Sequence, residues 1–63
     1  MDATTRYYEE LIKRHGWDYI VSLMDDEIRE MVHAEFSPCT NAEFLEAYDG
    51  YHAAKYGEEL RIP

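Results

Sequence analysis

Three histidines and one cysteine are the sparsest reactive side chains in this 63-residue chain. His33 and Cys39 are separated by six positions, with Pro38 between them, and His52 follows further along. A helical hairpin could draw the three together, with a nearby carboxylate completing a tetrahedral zinc set. Their spacing matches no finger or knuckle pattern. The plainer expectation is that Cys39 is a small hydrophobe in a turn and that the histidines are half-exposed. A nucleophilic dyad of Cys39 with His33 or His52 would need contact between them. It would also need an oxyanion-binding loop, and no Gly-rich segment supplies one. A chain this short leaves little room for a water-excluded pocket. The abundant carboxylates could in principle form an acid/base pair, but on exposed helix faces they are far more often solvated surface. The sequence therefore points away from an enzyme, with no cofactor and no resident metal.

The carboxylates raise a different question. The segment DDEIREMVHAEF, residues 25–36, holds five acids against one fixed cation, Arg29. Between residues 25 and 49 there are eight acids: Asp25, Asp26, Glu27, Glu30, Glu35, Glu43, Glu46 and Asp49. With Arg29 as the single base there, this stretch carries −7 of the formal net charge of −8. A helix over 25–35 would be about 15 Å long at ~1.5 Å per residue. Its acids would then recur roughly every 3 Å, the order of the ~3.4 Å phosphate spacing in one DNA strand. A second row from Glu43, Glu46 and Asp49 on a neighbouring helix would strengthen that likeness. In this role all eight acids are candidate partner-binding residues, standing in for phosphates before the Arg and Lys side chains of a basic groove. The competing explanation is that acidity serves solubility. Direct binding to nucleic acid or to anionic lipid is disfavoured, because both repel this charge. Tyr7, Tyr8, Tyr48, Tyr51 and Tyr56 could stack on bases. Lys13, Arg14 and Lys55 are too few to form the basic groove such a platform needs, so these rings are expected in the core.

Helical periodicity supplies the elements that would carry these residues. Tyr7, Tyr8, Leu11, Ile12 and His15 recur at helical spacing, predicting a first helix from about Thr4 to His15. Asp2, Thr4 or Thr5 can cap it, Lys13 and Arg14 suit its last turn, and Gly16 suits its stop. WDYIVSLM, residues 17–24, has some β propensity. A lone strand would have no clear partner, so it is read as a short separate helical turn. Ser22 or Asp25 can cap the next helix, which runs to about Phe36 and ends before Pro38. Its expected inner face is Ile28, Met31, Val32 and Phe36. Thr40 and Glu43 form an S/T-x-x-E capping box for a last helix. That helix carries Phe44, Leu45, Tyr48, Tyr51, His52 and Tyr56 on its stripe. Gly50 falls inside it and suggests either a close backbone contact or an early end at Asp49-Gly50. Gly57 is the expected stop, followed by a short tail.

These elements predict an all-α fold, a small bundle of three to four helices with a Tyr-rich core, forming a single domain over residues 1–63. At this size only about 60% of the unfolded chain's surface is buried. A thin core is therefore expected, and the 14% aromatic content argues against disorder. One cysteine cannot form an internal disulfide, which suits a reducing compartment. No run approaches the ~20 apolar residues of a membrane span. The N-terminal MDATTRYYEE lacks the features of a signal peptide. The expected location is cytoplasmic, and the expected state is monomer or homodimer.

Residues 25–48, DDEIREMVHAEF-SPCTNAEFLEAY, resemble short proteins of phages and integrative elements. Shared features are an acidic helix, a Pro-Cys-Thr turn and a capped helix with Phe-Leu and Tyr. Size, acidity and the lack of a catalytic motif are similar to those of anti-CRISPR proteins and other phage-encoded inhibitors. This resemblance implies a stoichiometric inhibitor of a host nucleic-acid-handling complex, acting in the host cell, and assigns no role to any single residue. The leading expectation is an acidic anti-CRISPR inhibitor that occupies a basic nucleic-acid site on a CRISPR effector. The alternatives are a helical adaptor or homodimer joined through exposed Tyr and Trp17, and a small module stabilised by zinc at His33, Cys39 and His52.

Overall fold

A computed structural model describes residues 3–63. Its elements are α1 (Ala3–His15), α2 (Trp17–Ser22), α3 (Asp26–Phe36) and α4 (Asn41–Tyr56), with no strand among the described residues. The all-α expectation holds, and residues 17–22 are helix rather than strand. Asp2, one of the caps considered for α1, lies outside the described residues.

The breaks between helices follow from local chemistry. Gly16 sits at φ 87°, a left-handed conformation that ends α1 and lets α2 leave in a new direction. Asp25 caps α3, its carboxylate accepting from the N–H groups of Glu27 at 2.9 Å and Ile28 at 3.2 Å. Ser37 is extended at ψ 137°, the backbone region to which a following proline confines a residue, so α3 stops at Phe36. Thr40 and Glu43 complete the reciprocal capping box of α4, at 3.2 Å and 3.1 Å. Gly57, left-handed at φ 79°, closes α4 by donating to Ala53 O.

α4 is the central helix, with α1 packed against it and α3 packed against it as well, while α2 leans on α1. The core is Tyr8, Ile20, Met24, Ile28, Val32, Ala42, Leu45 and Tyr48, with Leu11, Ile12, Trp17, Val21, Phe44, Leu60 and Ile62 packed around it. The residues after Gly57 are thus more than a loose tail, since Leu60 and Ile62 return to the core.

Several expected inward faces turn outward. Met31 and Phe36 are 39% and 45% exposed, leaving Ile28 and Val32 as the buried stripe of α3. The reason is geometric: α3 packs chiefly on one neighbour, α4, and so hides only a narrow strip. Of the tyrosines expected in the core, Tyr7 and Tyr56 are exposed, Tyr51 is half-buried against the core, and Tyr8 and Tyr48 are buried in it. α4 runs through Gly50 unbroken, as its periodicity predicts. The close approach expected there is absent, because a Cβ at Gly50 would meet nothing within 4 Å.

Candidate partner-binding site

The eight acids do not form one uniform face. Asp25 sits at the junction of α3 and α4. Besides capping α3, its carboxylate accepts from the Tyr56 hydroxyl at 2.6 Å and lies 3.4 Å from Lys55 Nζ. Its own backbone N–H donates to the hydroxyl of buried Tyr48 at 2.7 Å. The Tyr56 hydroxyl foremost, then the Ile28 N–H and Lys55, pull the Asp25 carboxyl down to about 2. Asp25 is therefore committed to holding α3 on α4.

Asp49 departs furthest from the expected role. It is buried, at 7% exposure, on a helix whose surface it was expected to decorate. Burial raises its pKa, opposed by the Tyr8 hydroxyl and the Leu60 backbone N–H. Its Oδ1 has no hydrogen-bond partner among the described residues. Burial foremost, and then the same contact, push the Tyr8 hydroxyl upward. Asp49 therefore lies buried beside Tyr8 of α1 and the returning Leu60 rather than on the surface of α4.

The remaining six acids are at the surface. On α3, Asp26 is 86% exposed and pairs with Arg29 at 3.1 Å. Glu27 is 79% exposed and lies 3.4 Å from Lys55 Nζ. Glu30 is exposed and has no ion pair among the described residues. Glu35 accepts from the Tyr51 hydroxyl, which raises the tyrosine's pKa. Exposed pairs of this kind are worth only about 0–1 kcal/mol each, and Arg29 and Lys55 offset only part of the charge of Asp25, Asp26, Glu27, Glu30 and Glu35, so the α3 group stays net negative. On α4, Glu43 is held by its capping box, whose Thr40 donors lower its pKa. Glu43 also lines a groove with Thr5, Glu9, Ile12 and Lys13 of α1, and Glu46 acts electrostatically on Tyr8. The α4 acids thus face the α1 side. α3 packs instead along the flank of α4 that carries Tyr51 and Lys55. The acidic residues divide into an α3 group and a smaller α1–α4 group, so the second row does not lie beside the first.

Beside the α3 acids opens a cleft of about 530 Å³, lined by Trp17 and Val21 of α2, Arg29, Glu30 and His33 of α3, the 37–39 turn, Asn41 and Phe44. Trp17 and Phe44 meet edge to face, with ring centroids 5.8 Å apart. Sequence periodicity missed this feature because each wall comes from a different helix.

The matching family model is that of the anti-CRISPR protein AcrIC5, and it covers residues 12–60. The chain belongs to the AcrIC5 anti-CRISPR family. No curated protein and no solved structure matches it. The AcrIC5 match spans every element described above except the first turns of α1 and the last residues of the chain. Both the α3 acids and the cleft therefore fall inside the family region. AcrIC5 is an inhibitor family rather than an enzyme family, and an anti-CRISPR protein acts on a CRISPR–Cas complex. No helix among the described residues is long and apolar enough to cross a membrane.

The zinc alternative loses its geometry within this fold. His33 and Cys39 do line the same cleft. His52 is elsewhere on α4, between the rings of Tyr48 and Tyr56 at 5.6 and 4.7 Å, with Nδ1 2.6 Å from Glu58 O. No group of three His, Cys, Asp or Glu side chains able to hold a metal is formed among the described residues.

Proposed function

We propose that this anti-CRISPR protein works by nucleic-acid mimicry, with the acids of α3 occupying a basic, nucleic-acid-binding groove of a CRISPR effector complex. The observation that carries this reading is the state of Asp26, Glu27 and Glu30. All three are exposed on one rigid helix of about 15 Å, at ~1.5 Å rise per residue. Lys55 and Arg29 are the cations paired with that helix's acids among the described residues. Exposed carboxylates carried along one helix offer a groove lined with Arg and Lys the same kind of hydrogen-bonding acceptors as the phosphates of a nucleic-acid strand. Glu35, on the flank of α3 that meets Tyr51, adds to the long-range field together with Glu43 and Glu46. Asp25 and Asp49 serve the fold.

Long-range attraction of this kind is screened over ~8–10 Å at ordinary salt and acts mainly on the association rate. The test is binding kinetics against the effector complex that the protein inhibits, at low and high salt, with and without target DNA. Binding should weaken steeply with salt, and DNA should compete. Asp26→Lys combined with Glu30→Lys should lower the on-rate by about 10-fold or more while leaving the helical spectrum unchanged. Salt-independent binding that ignores the double reversal and is not displaced by nucleic acid would refute mimicry. If truncation of exposed Tyr19 or Tyr56 then abolished binding, the protein would instead be an adaptor that docks through its aromatic rings.

A further inference from the structure

Phosphate mimicry requires charge on a surface and no cavity, yet the α3 acids border the concave cleft between α2, α3 and α4. It is an open cleft of about 530 Å³. Its walls combine two aromatic rings, Trp17 and Phe44, with the aliphatic Val21 and with Pro38. Its rim holds Glu30, one of the exposed acids assigned above to the partner. Arg29 also lines the cleft, but Asp26 holds its guanidinium at 3.1 Å. Glu30 is therefore the rim charge left without an ion pair among the described residues.

We infer that this cleft is an anchor site for an arginine side chain projecting from the basic surface of the partner protein. The inference rests on the partner being basic, as proposed above, and names the group that enters. An arginine offers an apolar stem for the aliphatic wall and a planar, weakly hydrated guanidinium for the aromatic rings. It also carries a two-pronged donor suited to the Glu30 carboxylate. A lysine ammonium is compact and strongly hydrated, and gains much less from such walls. A second copy of this chain is disfavoured as the occupant, because each copy carries a formal −8. An anchor seated here would slow dissociation, whereas the exposed acids accelerate association, so the two features act on different rate constants.

The chain contains its own reporters. Trp17 is its single tryptophan and Cys39 its single cysteine; both line the cleft, and the thiol is free and partly exposed. The experiment compares blocked octa-arginine and octa-lysine peptides of equal charge, added at low salt. The readouts are binding by calorimetry, Trp17 fluorescence and the rate of Cys39 alkylation by N-ethylmaleimide. Both peptides should bind through the acids. Octa-arginine alone should shift Trp17 emission and slow alkylation by about 3-fold or more, as expected when a bound group covers a partly exposed thiol. Glu30→Gln should remove most of that difference while octa-lysine binding falls only slightly. If both peptides bind equally and neither changes Trp17 or Cys39, the anchor site is wrong while mimicry stands. If both protect Cys39 alike, the cleft does not select arginine and the inference fails. If neither binds, the basic-partner reading falls with it.

Discussion

The hydroxyl of Tyr48 gives the most direct test of how the acidic helix is held in place. Tyr48 is fully buried in α4, and its hydroxyl accepts the Asp25 backbone N–H at 2.7 Å, immediately before α3 begins. Tyr48→Phe keeps the ring and its packing but deletes the acceptor. The Asp25 N–H precedes the first turn of α3, so no carbonyl within that helix can replace the lost partner. Leaving a partly buried donor unpaired costs about 1–2 kcal/mol. In a domain of this size that corresponds to a fall in melting temperature of roughly 4–16 °C, at ~4–8 °C per kcal/mol. The assay is thermal unfolding followed by far-ultraviolet circular dichroism, with amide exchange at Asp25 as the local readout. Tyr51→Phe is the control, because its bond to Glu35 is on the surface and its loss should leave the melt nearly unchanged. If Tyr48→Phe melts within about 1 °C of the parent, or Asp25 exchange is unaltered, this hydroxyl does not anchor α3 and the reasoning is refuted.

Two further substitutions probe the fold. Gly50 is helical, exposed and faces open space, so Gly50→Ala should stabilise the protein by about 0.5–1 kcal/mol, measured by urea unfolding. A loss of stability there would mean that α4 has a contact at this point. Asp25→Asn tests the junction by pH. Because the folded state holds this carboxyl at about 2, below its ordinary value, its contribution is fully present above pH ~4 and is lost as pH falls toward 2. The parent should therefore exceed the variant at neutral pH by a margin that closes between pH ~4 and 2; a margin independent of pH would show that the charge plays no part.

The sequence determined where the helices begin and end. Glycines at 16 and 57, the proline at 38, and the caps at Asp25 and Thr40 act on their own backbone within a few residues, so each could be read without knowing any neighbour. It also determined the excess of negative charge near α3, since charge is a property of composition. Which of those acids remain available was decided by the tertiary structure. Asp25 and Asp49 are ordinary acidic residues in the sequence. Asp25 became a fastener when α4 brought Tyr48, Lys55 and Tyr56 to it from more than twenty positions away. Asp49 became buried when α1 and Leu60 closed over it. The exposure of Met31 and Phe36 has the same origin: an amphipathic pattern marks what can be buried, and the number of neighbouring helices sets how much is. The cleft beside Glu30 exists only because three helices and a turn meet there. Periodicity along one helix reports that helix alone, and a cavity belongs to the spaces between helices.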